Sequence, residues 1–330
     1  MSKILPKNTF SQEQRKTFLL AILGPTASGK SDVAIQIAKK YNGEIISCDS
    51  RQIYRGMDIG SGKVKRDSFE TNTRPIFLSE TIPHHLIDIV SPKTEYNVVK
   101  FQKQARIALQ NILSRKKLPI LCGGTGFWAQ ALLENQIFPE ISPDKKLRKI
   151  LEKKSREELL EKLISLNPQR ALSLDTSNPL KIIRALEIIS HEKTSSKNTY
   201  FSRETKPLPI WEGIIINPPR EILYKNIEIR LDQRFEEGMI DEVKGLHYNQ
   251  KIPWKRLESF GLEYRWITQY LLKKVSLEEM KEGLFQDIRH YAKRQGTWFR
   301  RWERQGRIFS WVNSKEESLC RAKEILAKYL

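Results

Sequence analysis

The amino-acid sequence predicts an α/β fold: a parallel-sheet core built on a phosphate-binding loop, with an inserted helical domain and a mostly helical C-terminal part. Three observations predict it. The apolar run Phe18 to Leu23 leads into Gly24-Pro25-Thr26-Ala27-Ser28-Gly29-Lys30-Ser31, a complete G-x-x-x-x-G-K-[ST] loop. Short apolar runs then alternate with amphipathic stretches through the first third of the chain, the rhythm of β-α-β units. That rhythm stops near Phe138-Pro139-Glu140-Ile141-Ser142-Pro143 and returns only at Trp211.

Each element follows from its residues. Phe18 to Leu23 is apolar throughout, as a strand buried on both faces must be. Lys30 to Lys40 has helical periodicity. Glu44 to Ser47 reads as a second strand and Leu86 to Val90 as a third. Asn97 to Arg115 is an amphipathic helix, and Pro119 to Cys122 a short strand ending in Gly123-Gly124-Thr125-Gly126. Asp144 to Ser190 is helical and highly charged. His191 to Pro209, rich in Ser, Thr and Lys, reads as a loop. Trp211 to Ile216 restores a strand, the chain from Arg220 is mostly helical, and Ile308 to Val312 is one late strand. The expected domains are 1–135 (first part of the core), 136–209 (the helical insertion) and 210–330 (the rest of the core and a helical region).

Composition narrows the function. The chain has 330 residues, with 58 Lys and Arg against 39 Asp and Glu, a net charge of +19. An enzyme of nucleotides alone needs no such excess, so a polyanion such as nucleic acid is the expected partner, set against the plainer reading of solvated surface lysines. No apolar run reaches membrane-spanning length and no export signal is seen, so a cytoplasmic protein is expected. Cys48, Cys122 and Cys320 lie far apart without C-x-x-C spacing, which favours reduced thiols over zinc ligands.

The phosphate loop specifies a di- or triphosphate ligand. Its backbone N–H groups and the following helix N-terminus wrap the phosphates. Lys30 neutralises the terminal phosphates, and the Ser31 hydroxyl reaches a Mg²⁺ ion. Asp49 follows the second strand and falls at the ligand crevice of a parallel sheet. It reads as a general base, as a Mg²⁺ or nucleophile-orienting group, or as a capping residue. The glycines of Gly56-Met57-Asp58-Ile59-Gly60-Ser61-Gly62-Lys63 suggest a loop close to ligand. Arg230 and Arg234 stand one helical turn apart, suited to a diphosphate or to an exposed charged face. From Arg289 to Arg307, basic and aromatic residues interleave: the arginines form a nucleic-acid footprint while some aromatics belong to the core.

With these segments in view the chain resembles the tRNA dimethylallyltransferase family, also called tRNA isopentenyltransferases. The matching segments are GPTASGKS from Gly24, CDSRQIYRGMDIGSGK from Cys48, PHHLIDI from Pro83, LCGGTGFW from Leu121, NPLKIIRALEI from Asn178, RLDQRFEEGMIDEV from Arg230 and AKRQGTWFRRW from Ala292. The resemblance implies a nucleotide-kinase-like core with an inserted helical domain. It implies transfer of a dimethylallyl group from dimethylallyl diphosphate to N6 of the adenosine 3′ of the anticodon (position 37), with Mg²⁺ as cofactor. It further implies Asp49 as general base, and Arg230 and Thr26 at the diphosphate with the loop Gly24, Pro25, Thr26, Ala27, Ser28, Gly29, Lys30 and Ser31. The tRNA anticodon stem-loop is expected to meet Asp49, Ser50, Arg51, Gln52, Thr125, Lys181, Arg184, Arg265, Arg294, Arg300 and Arg301, with the protein acting as a monomer. No Asp-rich DDxxD segment of isoprenoid synthases occurs; the phosphate loop takes its place. The family's PQRLSRALE and GYRQ segments read Pro179-Leu180-Lys181-Ile182-Ile183-Arg184-Ala185-Leu186-Glu187 and Gly261-Leu262-Glu263-Tyr264-Arg265-Trp266, the latter with two extra residues. Two other classes compete on the residues alone. A phosphate-loop kinase of a small metabolite leaves the charge unexplained. An RNA-binding protein using ATP as a switch lacks a second NTPase signature.

Overall fold

Strand β1 (Phe18–Leu23) is buried on both faces, and the sheet is built outward from it. Its alternate side chains feed two cores: Leu19, Ala21 and Leu23 on one face, Phe18, Leu20 and Ile22 on the other. This is why the run is apolar without alternation. The structure is a computed structural model and describes residues 17–67, 76–139, 141, 144–194 and 208–330.

The chain continues through α1 (Lys30–Lys40), β2 (Gly43–Ser47), β3 (Phe77–Ser79), β4 (Ile82–His85), α2 (Val98–Ser114), β5 (Leu118–Gly123) and α3 (Gly126–Leu133). Next come α4 (Lys145–Leu151), α5 (Arg156–Leu166), α6 (Pro168–Ser173) and α7 (Pro179–Thr194). Then follow β6 (Ile210–Ile216), α8 (Arg220–Glu236), α9 (Met239–Tyr248), α10 (Trp254–Ser259), α11 (Leu262–Leu271), α12 (Leu277–Arg304), β7 (Phe309–Val312) and α13 (Lys315–Leu326). Seven strands form one sheet in the order β3-β4-β2-β5-β1-β6-β7. Every pairing is parallel except β3 with β4. The α/β class is therefore as expected, and parallel strands aim their carboxyl ends at one edge. Among the described residues no helix is long and apolar enough to cross a membrane.

Two expectations are corrected. The strand expected at Leu86 to Val90 is instead β4 (Ile82–His85). Leu86 and Asp88 take left-handed backbone (φ 66° and 56°), which an extended strand cannot accommodate. Leu86 and Ile87 are apolar because they are buried in a loop, and only a single bridge joins Val90 to Tyr54. The expected loop from His191 begins later, because α7 runs through Thr194; residues 195–207 of that loop lie outside the described residues.

The chain divides into two compact units, Met1–Gln136 with Leu208–Leu330, and Ile137–Pro207. The second unit packs α4 to α7 around Leu151, Leu159, Leu163, Ile182, Ile183 and Leu186. The buried Glu187 carboxylate accepts from Arg148 at 2.7 Å and Arg184 at 3.2 Å. Helix α5 starts with a capping box, Ser155 and Glu158 satisfying each other's backbone N–H groups.

At the amino end of the sheet, Glu44 on β2 is 2% exposed and accepts from Arg115, from Lys117 at 2.8 Å and from His85 Nε2 at 2.8 Å. Burial alone would raise its pKa, but the hydrogen bonds from Arg115, His85 and Lys117 outweigh that and hold it below the usual carboxylate range. A depressed carboxyl contributes stability above its unfolded pKa and loses it as pH falls through the folded value. Glu44→Gln is expected to cost about 2 kcal/mol at pH 7, since three donors lose an anionic partner. Urea unfolding of both proteins checks this, with the gap shrinking as pH is lowered from 7 towards 3.

Candidate active site

The carboxyl ends of β1, β2 and β5 open onto a cavity of about 470 Å³. Thr26, Lys30 and Ser31 line it from the phosphate loop, and Ser47, Asp49, Ser50, Arg51 and Gln52 from the end of β2. Arg230, Arg234, Phe260, Glu263, Tyr291 and Arg294 close it from the helices.

Gly29, the N-cap of α1, has left-handed backbone (φ 83°) and no side chain to cap the helix, so the first amides stay available to an anion. Lys30 Nζ donates to the Pro25 carbonyl at 3.1 Å, curled over the loop. Burial lowers the Lys30 pKa, Arg230 pushes the same way, and Asp49 opposes both. Of the other loop residues, Ala27 has left-handed backbone (φ 61°), and the Ser28 hydroxyl is buried with no hydrogen-bond partner among the described residues. Gly24 lies close under Ile216.

Arg230 carries no hydrogen bond or ion pair among the described residues. Burial and then the neighbouring Arg234 push its pKa down to about 10. Arg234 is paired at 3.0 Å with the buried Glu263. Burial raises the Glu263 pKa against the opposing pull of Arg234. Two half-buried cations under pressure to lose charge, Lys30 and Arg230, thus face one cavity, and an entering anion relieves that pressure. Gly62, with left-handed backbone (φ 62°), lies directly beneath the two guanidinium groups.

The opposite wall is held by hydrogen bonds. One Asp49 oxygen accepts from the Arg51 N–H at 2.9 Å. Arg51 Nε donates to the Phe260 carbonyl at 2.8 Å, and the Thr125 hydroxyl accepts the Ser50 N–H at 3.2 Å. Burial raises the Tyr291 phenol pKa. Gln52 bridges Ser47 Oγ and the Gly62 carbonyl, each at 3.2 Å. Glu242 accepts three consecutive backbone N–H groups, of Asp58 (2.7 Å), Ile59 (2.6 Å) and Gly60 (3.0 Å), and so shapes the loop that carries Gly62.

Ser31 and Asp49 offer a divalent cation hard oxygen ligands only. No group of three or more His, Cys, Asp or Glu able to hold a metal occurs among the described residues. That donor set fits Mg²⁺, which keeps waters and shares phosphate oxygens, and does not fit a closed protein cage.

The family model described as IPP transferase matches residues 52–302. The chain belongs to the IPP transferase family. It is thus a prenyl-transferring enzyme by family. It is 41% identical over 310 residues to tRNA dimethylallyltransferase 1 of Geotalea uraniireducens (strain Rf4), covering 93% of this chain and 96% of that protein. Similarity to tRNA dimethylallyltransferase 2 of Shewanella sediminis (strain HAW-EB3) is 39% over 309 residues, 94% of this chain and 97% of that one. Among solved structures, the tRNA isopentenylpyrophosphate transferase of Bacillus halodurans superposes with a TM-score of 0.65 at 33% identity, covering 95% of this chain and 96% of that one. A eukaryotic dimethylallyltransferase acting on tRNA gives a TM-score of 0.65 at 26% identity, over 86% of this chain and 69% of that one.

Within this IPP transferase, the cavity gathers Thr26, Lys30, Ser31, Asp49, Ser50, Arg51, Gln52, Arg230, Arg265 and Arg294, with Thr125 behind Ser50. Arg265 is already paired with Asp287. Arg300 and Arg301 are exposed on α12 and do not line the cavity. Lys181 and Arg184 sit on α7 of the helical unit, paired with Asp175 at 2.7 Å and with Glu187. Sequence reasoning missed Glu263, Glu242 and Gln295. The i, i+4 spacing of Tyr291 and Gln295 places both on one face of α12 and was the available signal.

A methyl group on Gly62 would lie 1.8 Å from Arg234 Nη2 and 3.0 Å from Arg230 Nη2. Gly62→Ala is therefore expected to weaken inorganic diphosphate binding about tenfold and to cost about 1 kcal/mol of stability. Calorimetric titration and thermal unfolding measure the two effects.

Proposed function

We propose that the protein transfers a dimethylallyl group from dimethylallyl diphosphate to N6 of the adenosine 3′ of the anticodon in tRNA, releasing diphosphate. The observation that carries this reading is the single cavity faced by Lys30, Asp49 and Arg230. The names of the relatives supply the transferred group and the acceptor class.

The N6 amine is a weak nucleophile because its lone pair is delocalised into the purine ring. As nitrogen attacks the allylic carbon, the N–H becomes acidic and the Asp49 carboxylate takes the proton. The carbon–oxygen bond to diphosphate breaks, and its electron pair leaves on the diphosphate oxygen. Lys30, Arg230 and the amides at the start of α1 meet that charge, while Thr26 helps hold the donor. Ser31 would hold Mg²⁺ together with phosphate oxygens, and the ion when bound adds Lewis-acid stabilisation of the leaving group. The acceptor base must leave its stack to reach Asp49, and Phe260 and Tyr291 offer aromatic faces to receive it.

Ser50, Arg51, Gln52, Thr125, Arg265 and Arg294 serve the acceptor side of the cavity. Lys181, Arg184, Arg300 and Arg301 serve the tRNA backbone, consistent with the net charge of +19. The reading takes the protein to act as a monomer, and a tRNA substrate implies work in the cytoplasm.

Nucleoside mass spectrometry of unmodified tRNA incubated with protein, Mg²⁺ and dimethylallyl diphosphate tests the reading. Adenosine heavier by one dimethylallyl group is expected; a phosphorylated product formed from ATP would establish a kinase instead. Asp49→Ala should lower turnover by about 10³-fold with tRNA affinity little changed. Arg230→Ala should lower it by about 10²-fold with weaker donor engagement. Replacing Arg300 and Arg301 by Ala together should flatten the salt dependence of tRNA binding by about one to two charges. Filter binding across a salt series reads this slope.

A further inference from the structure

Gln295 is 6% exposed and lies one helical turn beyond Tyr291 on α12. Its Oε1 accepts the Thr26 N–H at 2.9 Å, and its Nε2 donates to the Gly124 carbonyl at 2.8 Å. The backbone fixes these roles, since an N–H only donates and a carbonyl only accepts. One side chain must therefore present a donor and an acceptor together. A carboxylate lacks the donor, an ammonium lacks the acceptor, and asparagine is one methylene shorter. The fit is tight: a methyl group on Gly124 would lie 2.3 Å from Gln295 Nε2 and 3.1 Å from the Gly24 carbonyl oxygen. The amide is thus wedged between the phosphate loop after β1 and the loop after β5.

We propose that Gln295 is a positioning residue, clamping the phosphate loop at Thr26 to the Gly124 loop so that the donor site is held in register with the acceptor side of α12. The inference rests on the prenyl-transfer reading above. In that reading Thr26 touches the donor, while Tyr291 and Arg294 of the same helix face the acceptor. Gln295 borders the cavity, but both polar atoms of its amide are spent on Thr26 and Gly124, so it acts through Thr26. Without the amide, the Thr26 N–H and the Gly124 carbonyl lose a buried partner, and the loop shifts away from the geometry that receives diphosphate.

The test compares the wild-type full chain with Gln295→Leu and Gln295→Glu. The measurements are steady-state transfer from dimethylallyl diphosphate to unmodified tRNA, tRNA binding, titration with inorganic diphosphate, and thermal unfolding. For Gln295→Leu, kcat/KM for the donor should fall about tenfold or more and diphosphate affinity by a similar factor. tRNA affinity should stay within about twofold. Gln295→Glu should be as defective at pH 8, where two oxygens oppose each other across Gly124. It should recover relative to wild type as pH is lowered, because a protonated carboxyl again offers a donor and an acceptor. A role in folding alone would lower donor and tRNA parameters together, in proportion to the folded fraction read by thermal unfolding; that result overturns the inference. So do donor constants of Gln295→Leu within about twofold of wild type. If the wild type itself transfers no prenyl group, the functional reading falls, and the clamp then stands or falls on whether Gln295→Leu still weakens inorganic diphosphate binding.

Discussion

The site depends on holding several cations close together in a buried place without neutralising all of them. Lys30 and Arg230 face one cavity, and burial presses each to lose its charge, with Arg234 adding to that pressure at Arg230. Of these three cations, only Arg234 has a buried counter-charge among the described residues, Glu263. A chain left to relax would fold such groups outward into water. Here the rigidity comes from elsewhere: β1 is clamped in the centre of the sheet with both faces buried, and α8 is anchored by Leu223, Ile227 and Leu231. The apolar core holds the cations in place until an anion arrives, which is electrostatic preorganisation.

The two sides of the cavity are supported differently. The phosphate-loop side rests on main chain at the ends of parallel strands, where geometry follows from sheet register. The facing side is built from side chains on α11 and α12 and on the segment after β2. Its parts are joined by specific hydrogen bonds: Arg51 to the Phe260 carbonyl, Ser50 to Thr125, and Glu242 to three amides of the Asp58–Gly60 turn. Substitution on this side, Gln295 apart, can alter what fits the cavity without touching the phosphate loop.

Much of this was legible beforehand. The phosphate loop, Asp49 and the break in strand rhythm are local patterns, and local patterns are what a sequence displays. The third strand was misplaced because burial, not strand geometry, made Leu86 and Ile87 apolar; the left-handed residues Leu86 and Asp88 carry no Gly or Asn signature at the first of them. β3 escaped notice because three residues are too few for an alternation to register. Glu263 and Gln295 were passed over for another reason. A buried carboxylate beside an arginine from a different helix, or an amide joining two distant loops, is defined only once tertiary structure brings the partners together. The charged stretch of α12 displayed its arginines, while its most connected polar side chain was the neutral one between them.

The strand order has a consequence for synthesis. β1 is flanked by β5 on one side and by β6 on the other, and Phe18 stands in register with Ile210. The helical unit is translated between those two partners. During elongation the phosphate loop therefore emerges early, yet one edge of its supporting strand stays unpaired until β6 has left the ribosome. The helical unit has its own apolar core and short-range contacts, so it can gain structure while β1 waits. A nascent chain of this topology exposes an apolar strand edge for much of its synthesis, which makes it a natural client for ribosome-associated chaperones.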